Sequence, residues 1–417
     1  QMNDSSWSCA VELTSRFLNK PARLSHLLER LPADMDPGSR RRCQFLLFGV
    51  VRNLSFLESN LDAFLRKRPR LGMWAAFLVT SYELMANLGK SAQIVDYAVG
   101  RIGKKFSRSE KALANAVLRK VAQGIAESKE TVPSDCLSMA IQYSHPAWLI
   151  DRWIKQFGFE DASELARWNQ EEPDIYFLPL KGAKAAALGQ STDWDPYRKG
   201  TDTNWSELAE ALKAGSIYIQ NPGARLAPNL IVKHFHDGRI LDLCAAPGGK
   251  SFYLERILRE SIREIVCVDL PGPRFERLHT NIKRSGSGRL RSLAADLFEL
   301  DNKEQGRFEA VLLDAPCSNS GVLQKKPDAK WRLSTERISD LVALQFRMLT
   351  KASELVGENG LLVYSTCSFD VEENEGVVNR FLDSEMGRSF SLVERVASKP
   401  WITRHDGAGA ALLRRHG

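Results

Sequence analysis

Leu241-Asp242-Leu243-Cys244-Ala245-Ala246-Pro247-Gly248-Gly249-Lys250 begins as a short apolar run and breaks into small residues and a double glycine. The next segment carries Leu254, Ile257 and Leu258 at the spacing of one helix face. The stretch predicts a strand, a tight turn and a helix. Two glycines among small residues let backbone approach a ligand at the helix N-terminus, where unpaired N–H groups face outward. Outward from this turn the pattern repeats. Ile240–Leu243, Ile265–Val268, Leu290–Ala294, Ala310–Leu313 and Gly360–Tyr364 read as strands, with helical stretches over Ser251–Arg259, Pro273–Lys283 and Arg337–Val356. Such alternation predicts an α/β domain built on a doubly wound, mostly parallel sheet.

In such a sheet, ligands bind at the carboxyl ends of the strands. Cys244, Ala245, Ala246, Pro247, Gly248, Gly249 and Lys250 form the first turn there. Asp269 ends the second strand about 20 residues on, where an acid meets a ribose hydroxyl in nucleotide-binding units. Asp296 follows the third and could accept from an adenine amine. The competing reading is that both acids simply cap the next helices. No G-x-G-x-x-G is present, which favours S-adenosylmethionine over a nicotinamide cofactor.

Two more strand ends carry thiols. Cys317 lies in Asp314-Ala315-Pro316-Cys317 and Cys367 in Tyr364-Ser365-Thr366-Cys367-Ser368, with Glu372, Glu373 and Asn374 downstream. A cofactor turn and reactive thiols on one sheet edge suggest methyl transfer to a pyrimidine carbon. Carbon 5 of cytosine is a poor nucleophile until a thiolate adds to carbon 6. Asp314, Cys317, Cys367 and Lys250 are the residue types this needs, and a nearby ammonium lowers a thiol pKa. The residues alone do not say which cysteine attacks. Cys9, Cys43, Cys136 and Cys267 read as small buried hydrophobes.

The chain has 417 residues, net charge +7, 43% hydrophobic and 26% charged residues, enough for two or three domains. No apolar run reaches membrane-spanning length, and the polar start Gln1-Met2-Asn3-Asp4-Ser5-Ser6 lacks signal-peptide regions. The seven cysteines are scattered, without CxxC. This reads as a soluble, cytoplasmic protein with no disulfide framework and no metal site; His234 and His236 read as surface or loop histidines. Residues 1–140 read as all-α, on apolar spacings at Leu54–Leu65, Trp74–Leu84 and Leu113–Leu118. Basic runs at Arg40-Arg41-Arg42, Arg66–Arg70 and Arg101–Lys111 suggest phosphate-backbone contact. Residues 141–225 read as a small α+β region, with a polar loop over Gln190–Asn204, and 226–417 as the catalytic domain.

The residues at Leu241–Ser251, Asp314–Leu323, Lys326-Pro327-Asp328 with Lys330-Trp331-Arg332, and Tyr364–Glu375 resemble the RNA cytosine-5 methyltransferases of the RsmB/Sun (Fmu) and NSUN-type superfamily. Phe48–Arg52, Asn115–Arg119 and Ser144–Trp148 resemble the NusB-like helical RNA-binding domain of the RsmB branch. The resemblance implies a Rossmann-like S-adenosylmethionine-dependent domain behind an all-α NusB-like domain and a small α+β subdomain. It implies Cys367 as nucleophile, Cys317 in product release, Asp314 at the target base and Lys250 near the reacting centre. Cofactor contacts would come from Cys244–Lys250, Asp269, Arg274, Asp296 and Asp314. The implied partner is RNA, a cytosine of small-subunit (16S) rRNA, rather than DNA or membrane, acted on by a monomer. The chain departs from the family at Leu178-Pro179-Leu180, Gln220-Asn221 and Asp406-Gly407-Ala408-Gly409. These lie outside the thiol and cofactor motifs and are expected to bear on RNA contacts more than on chemistry.

Overall fold

A computed structural model describes residues 4–128, 131–301 and 305–417; the first three residues of the polar N-terminal stretch lie outside these. The chain forms two compact units. One holds the residues up to Glu172 together with Leu323–Arg332; the other holds Pro173–Val322 and Leu333–Gly417.

The first unit is helical. Helix Leu71–Ala86 is apolar around its whole circumference, and every residue from Met73 to Leu84 is buried, as a central helix requires. Asp4–Asn19, Pro37–Arg52, Ser91–Lys105 and Arg108–Ser128 bury their apolar stripes in the same core. Gly49 lies against the Tyr82 ring, where a Cβ would overlap the ring carbons. Helices continue through Ala147–Phe157 and Phe159–Trp168, so strands begin only well after residue 141. The segment Leu323–Arg332 completes this unit. Lys330 Nζ donates to the Arg52 carbonyl at 2.9 Å and Trp331 Nε1 to the Val51 carbonyl at 2.8 Å. Arg52 Nη2 in turn donates to the Gln324 carbonyl at 2.8 Å. The last carbonyls of a helix lack intrahelical partners, and here side chains from nearly 280 residues away supply them.

The second unit contains two sheets. Strands β1 (Tyr176–Pro179), β2 (Gln190–Ser191), β3 (Arg198–Lys199) and β4 (Ile217–Ile219) form a small antiparallel sheet in the order β2-β3-β1-β4. The expected loop over Gln190–Asn204 therefore contains two short strands. They are only two residues long and polar, which left no alternation to read.

The larger sheet has β5 (Gly238–Leu243), β6 (Ile262–Asp269), β7 (Leu290–Ala294), β8 (Phe308–Asp314), β9 (Val356–Thr366), β10 (Phe390–Ser398) and β11 (Ala408–Arg415), in the order β10-β11-β9-β8-β5-β6-β7. The five expected strands are parallel to one another and form the doubly wound core. Leu241, Leu243, Val311, Leu313 and Leu362 pack on one face, and Ile240, Ile265, Ala310, Leu312 and Val363 on the other. Burial of both faces explains the continuous apolar runs. Strands β10 and β11 are antiparallel additions that the sequence did not announce. β10 is a largely exposed edge strand bearing Glu394 and Arg395, and β11 is rich in Ala and Gly.

Candidate active site

The order of the sheet reverses at β5, which lies between β6 and β8. Leu243 pairs with Val268 and Leu313, and Asp314 with Ser365. The glycine turn and the ends of β6, β8 and β9 therefore share one carboxyl edge at the switch point, where doubly wound sheets bind ligands.

At one end of this edge, Cys244 (φ 60°) and Gly248 (φ 110°) turn the chain through left-handed backbone. A Cβ on Gly249 would lie 2.3 Å from Gln220 Nε2, so this glycine lets the Gln220 amide pack against the turn. Asp269 accepts from Ala246 N (2.9 Å) and Leu270 N (3.0 Å). It braces the turn rather than capping the next helix. Two of its roughly four lone-pair positions remain for a diol. Arg274 Nη2 donates to the Ala246 carbonyl at 2.8 Å and lies 3.9 Å from Asp269. Asp296 does act as a cap, accepting from Phe298 N at 2.9 Å. Beneath the turn, Asp242 is 1% exposed. Burial pushes its carboxyl up to about 7, against the opposing pull of the Ser251 hydroxyl and Lys250. A braced glycine turn and acids at three neighbouring strand ends suit a ligand carrying a ribose diol, an amine and an ammonium.

At the other end, Lys250 Nζ lies 2.6 Å from Asp314 Oδ2, and Ser365 Oγ donates to Asp314 Oδ1 at 3.0 Å. Burial draws the Lys250 ammonium down, but Asp314, then Asp242 and Cys367, outweigh it and the net shift is upward. Cys317 Sγ and Cys367 Sγ are 3.1 Å apart. The hydrogen bond to Cys367, then burial, then the nearby charges of Cys367 and Glu373 push the Cys317 thiol well above its usual range. Asn319 Oδ1 accepts from Cys367 Sγ at 3.4 Å. Thus Lys250, Asp314, Cys317 and Cys367 come together as the sequence reading required. Of the other thiols, Cys43 and Cys267 are buried while Cys9 and Cys136 are only partly so.

Under the thiols lies a buried polar network that the sequence reading missed. Glu373, on the helical turn Glu372–Gly376, accepts from Ser318 N at 2.8 Å and from Gln345 Nε2 at 3.0 Å. Ser318, Ser320 and Ser368 join Asp370 through their hydroxyls. Asn374 donates to the carbonyls of Ser368 and Asp370 and accepts from Thr366 Oγ1. Glu373 and Asn374 stood beside the Cys367 motif, but nothing in their spacing gave them a partner; Gln345 gave no signal at all.

The departures near the C-terminus prove close to the thiols. Gly407 N donates to Gly321 O at 2.8 Å, and Gly321 N to Cys367 O at 3.0 Å. A Cβ on Gly409 would lie 2.3 Å from Asn374 Oδ1. Asn221 Oδ1 accepts from Asp406 N at 2.9 Å. Since β11 pairs with β9, residues outside the motifs in sequence become their immediate supports. Among the described residues, no group of three or more His, Cys, Asp or Glu side chains is placed to hold a metal ion, and no helix is long and apolar enough to cross a membrane.

Residues 229–402, which span this whole edge, match the family model described as 16S rRNA methyltransferase RsmB/F. Through these residues the chain is similar to the methyltransferase domain of the RsmB/F family. It is 29% identical to ribosomal RNA small subunit methyltransferase B of Sodalis glossinidius, over 89% of this chain and 88% of the relative. It is 27% identical to the probable methyltransferase B of Bacillus subtilis, over 87% and 84%. The fold is shared with the crystal structure of PH0851 (TM-score 0.73, 20% identity, all of both chains) and with NSun6 from Pyrococcus horikoshii with SFG (0.53, 18%, 65% and 98%). The chain uses S-adenosylmethionine as its methyl donor.

Proposed function

We propose that this protein methylates carbon 5 of a cytosine in small-subunit rRNA through a covalent adduct with Cys367. The observation that carries the reading is the pair of thiols 3.1 Å apart on the carboxyl edge of the sheet, beside the Lys250–Asp314 pair. Glycine-turn backbone, Asp269, Arg274, Asp296 and Asp314 would hold the cofactor, whose sulfonium supplies an electrophilic methyl group. Cys367 attacks carbon 6 of the base and pushes electron density onto carbon 5, which takes the methyl group. A base takes the carbon-5 proton, the freed electron pair re-forms the C5–C6 double bond, and the C6–S bond breaks to release the Cys367 thiolate. Cys317, whose proton is held by burial and by its neighbour, serves this release step. Asp314 and Lys250 orient the ring and stabilise charge developing on it. The N-terminal helical region, with its basic runs, would dock RNA phosphates, and the relatives' names supply the substrate class.

The test is incubation of the protein, labelled S-adenosylmethionine and unmethylated small-subunit rRNA, with 5-methylcytosine mapped at nucleotide resolution. One modified cytosine is expected. Cys367→Ala should abolish both transfer and covalent RNA capture; retained activity would remove Cys367 as the nucleophile. Transfer to bulk tRNA alone would keep the chemistry and change the substrate.

A further inference from the structure

We infer that Glu373 is the positioning residue that sets Cys317 against Cys367. This deepens the proposed reaction and rests on it for its consequences in turnover, though not for its geometry. Glu373 belongs to the chain segment that follows Cys367, yet its carboxyl group grips the other thiol loop. Oε1 accepts from the backbone N–H of Ser318 at 2.8 Å, and Oε2 bonds the Ser318 hydroxyl. Gln345 Nε2 bridges the same Oε1 (3.0 Å) and the Pro316 carbonyl (2.9 Å). The peptide is therefore fixed on both sides of Cys317. Glu373 is itself anchored, since its carbonyl accepts from Tyr364 Oη at 2.6 Å on the strand that leads into Cys367. Its turn is a π-helix, a rare local geometry found often at functional sites. A carboxyl group that is fully buried costs stability wherever its bonds are incomplete. Here it accepts from Ser318 and Gln345. What it secures is the separation of two sulfur atoms on loops 50 residues apart in sequence.

The experiment compares wild type, Glu373→Ala, Glu373→Gln, Gln345→Ala, Cys317→Ser and Cys367→Ser, all as the full chain. First, without RNA or cofactor, each is treated with diamide. Cys317 and Cys367 each give up a hydrogen, an S–S bond forms, and the azo N=N takes both hydrogens to become a hydrazine. Wild type should close the Cys317–Cys367 bond, seen as a loss of two mass units in the peptide pair and absent in either serine variant. Closure should slow at least tenfold in Glu373→Ala. Glu373→Gln, which retains an acceptor for Ser318 N, should restore most of the rate. Gln345→Ala should fall between and serves if Glu373→Ala fails to fold. Second, with labelled cofactor and rRNA, Glu373→Ala should keep its single-turnover methyl transfer within about threefold. It should lose steady-state turnover and accumulate a denaturation-stable RNA adduct, as Cys317→Ser does. A merely structural role would lower both rates together. Diamide closure at the wild-type rate in Glu373→Ala, or no closure in wild type, overturns the inference. Absence of adduct in Cys317→Ser, with the diamide result intact, would instead count against the proposed reaction and leave Glu373 as the spacer of the thiols.

Discussion

Two lysines out of reach of most solvent behave in opposite ways, one in each compact unit. Lys250, 17% exposed, lies 2.6 Å from a carboxylate, and its ammonium is stabilised despite burial. Lys330 is 1% exposed, donates to a peptide carbonyl and faces the Arg52 guanidinium; burial first, and Arg52 second, pull it well below the usual lysine range. Burial alone therefore does not decide a lysine's charge; the partner does. At the sheet edge the fold sets Asp314 beside the ammonium. Where a helix end needs a donor, the fold uses a lysine whose charged form burial and Arg52 disfavour.

The strongest challenge to this contrast is Lys250→Met. It should lower kcat by about 10²–10³-fold, the range for loss of a preorganised electrostatic contact, with the fold retained by circular dichroism. Normal kcat would mean that the ammonium takes no part in the chemistry. Next is the pH dependence of stability around Lys330. Its folded pKa lies below the unfolded value of about 10.4, so the unfolded chain binds the extra proton. Stability should rise with pH toward that value, by up to about 1.4 kcal/mol per pH unit for one proton, and fall as pH drops toward the folded value. Lys330→Met should flatten this rise in chemical denaturation; an unchanged slope would show that Lys330 stays protonated. Asp242 gives a smaller effect of opposite sign. Its carboxyl, raised to about 7, should make stability decline between about pH 4 and pH 7. Asp242→Asn should remove that decline, and an unaltered profile would assign it elsewhere.

The smallest effect concerns cations that remain in water. Part of each basic run is already engaged: Arg42 with Glu83, Arg68 with Glu58 and Asp62, Arg70 with Glu110, and Arg101 with the Ser8 hydroxyl. Arg66, Lys67, Lys104 and Lys105 are exposed. Replacing Lys104 and Lys105 with Gln should weaken RNA binding modestly and reduce the salt slope by about 0.7–0.9 for each phosphate that is no longer neutralised. An unaltered slope would move docking to another surface.

The glycine-turn end of the edge was legible because strand, turn and helix occupy consecutive residues, and Asp269 follows at a set distance. The thiols were legible because each follows an apolar run. Their support was not, since Ser318 meets Glu373 across 55 residues and Gln345 meets it across 28. Neither separation is periodic. Lys330 was visible within a motif, but a lysine in sequence reads as solvent-exposed, and only the helix end at Arg52 explains its burial. β10 and β11 were hidden by exposed charge and small residues, and with them the surroundings of Gly407 and Gly409.

The ten residues Leu323–Arg332 also impose an order on biosynthesis. Glu172 leaves the ribosome about 150 residues before Leu323 does. At ~5–20 residues per second, the nascent helical unit waits roughly 8–30 seconds with the carbonyls of Val51 and Arg52 lacking Trp331 and Lys330. During that interval these helix-end carbonyls have no side-chain donor from Leu323–Arg332. For the same reason, a fragment ending at Glu172 would reproduce the waiting state rather than the finished unit.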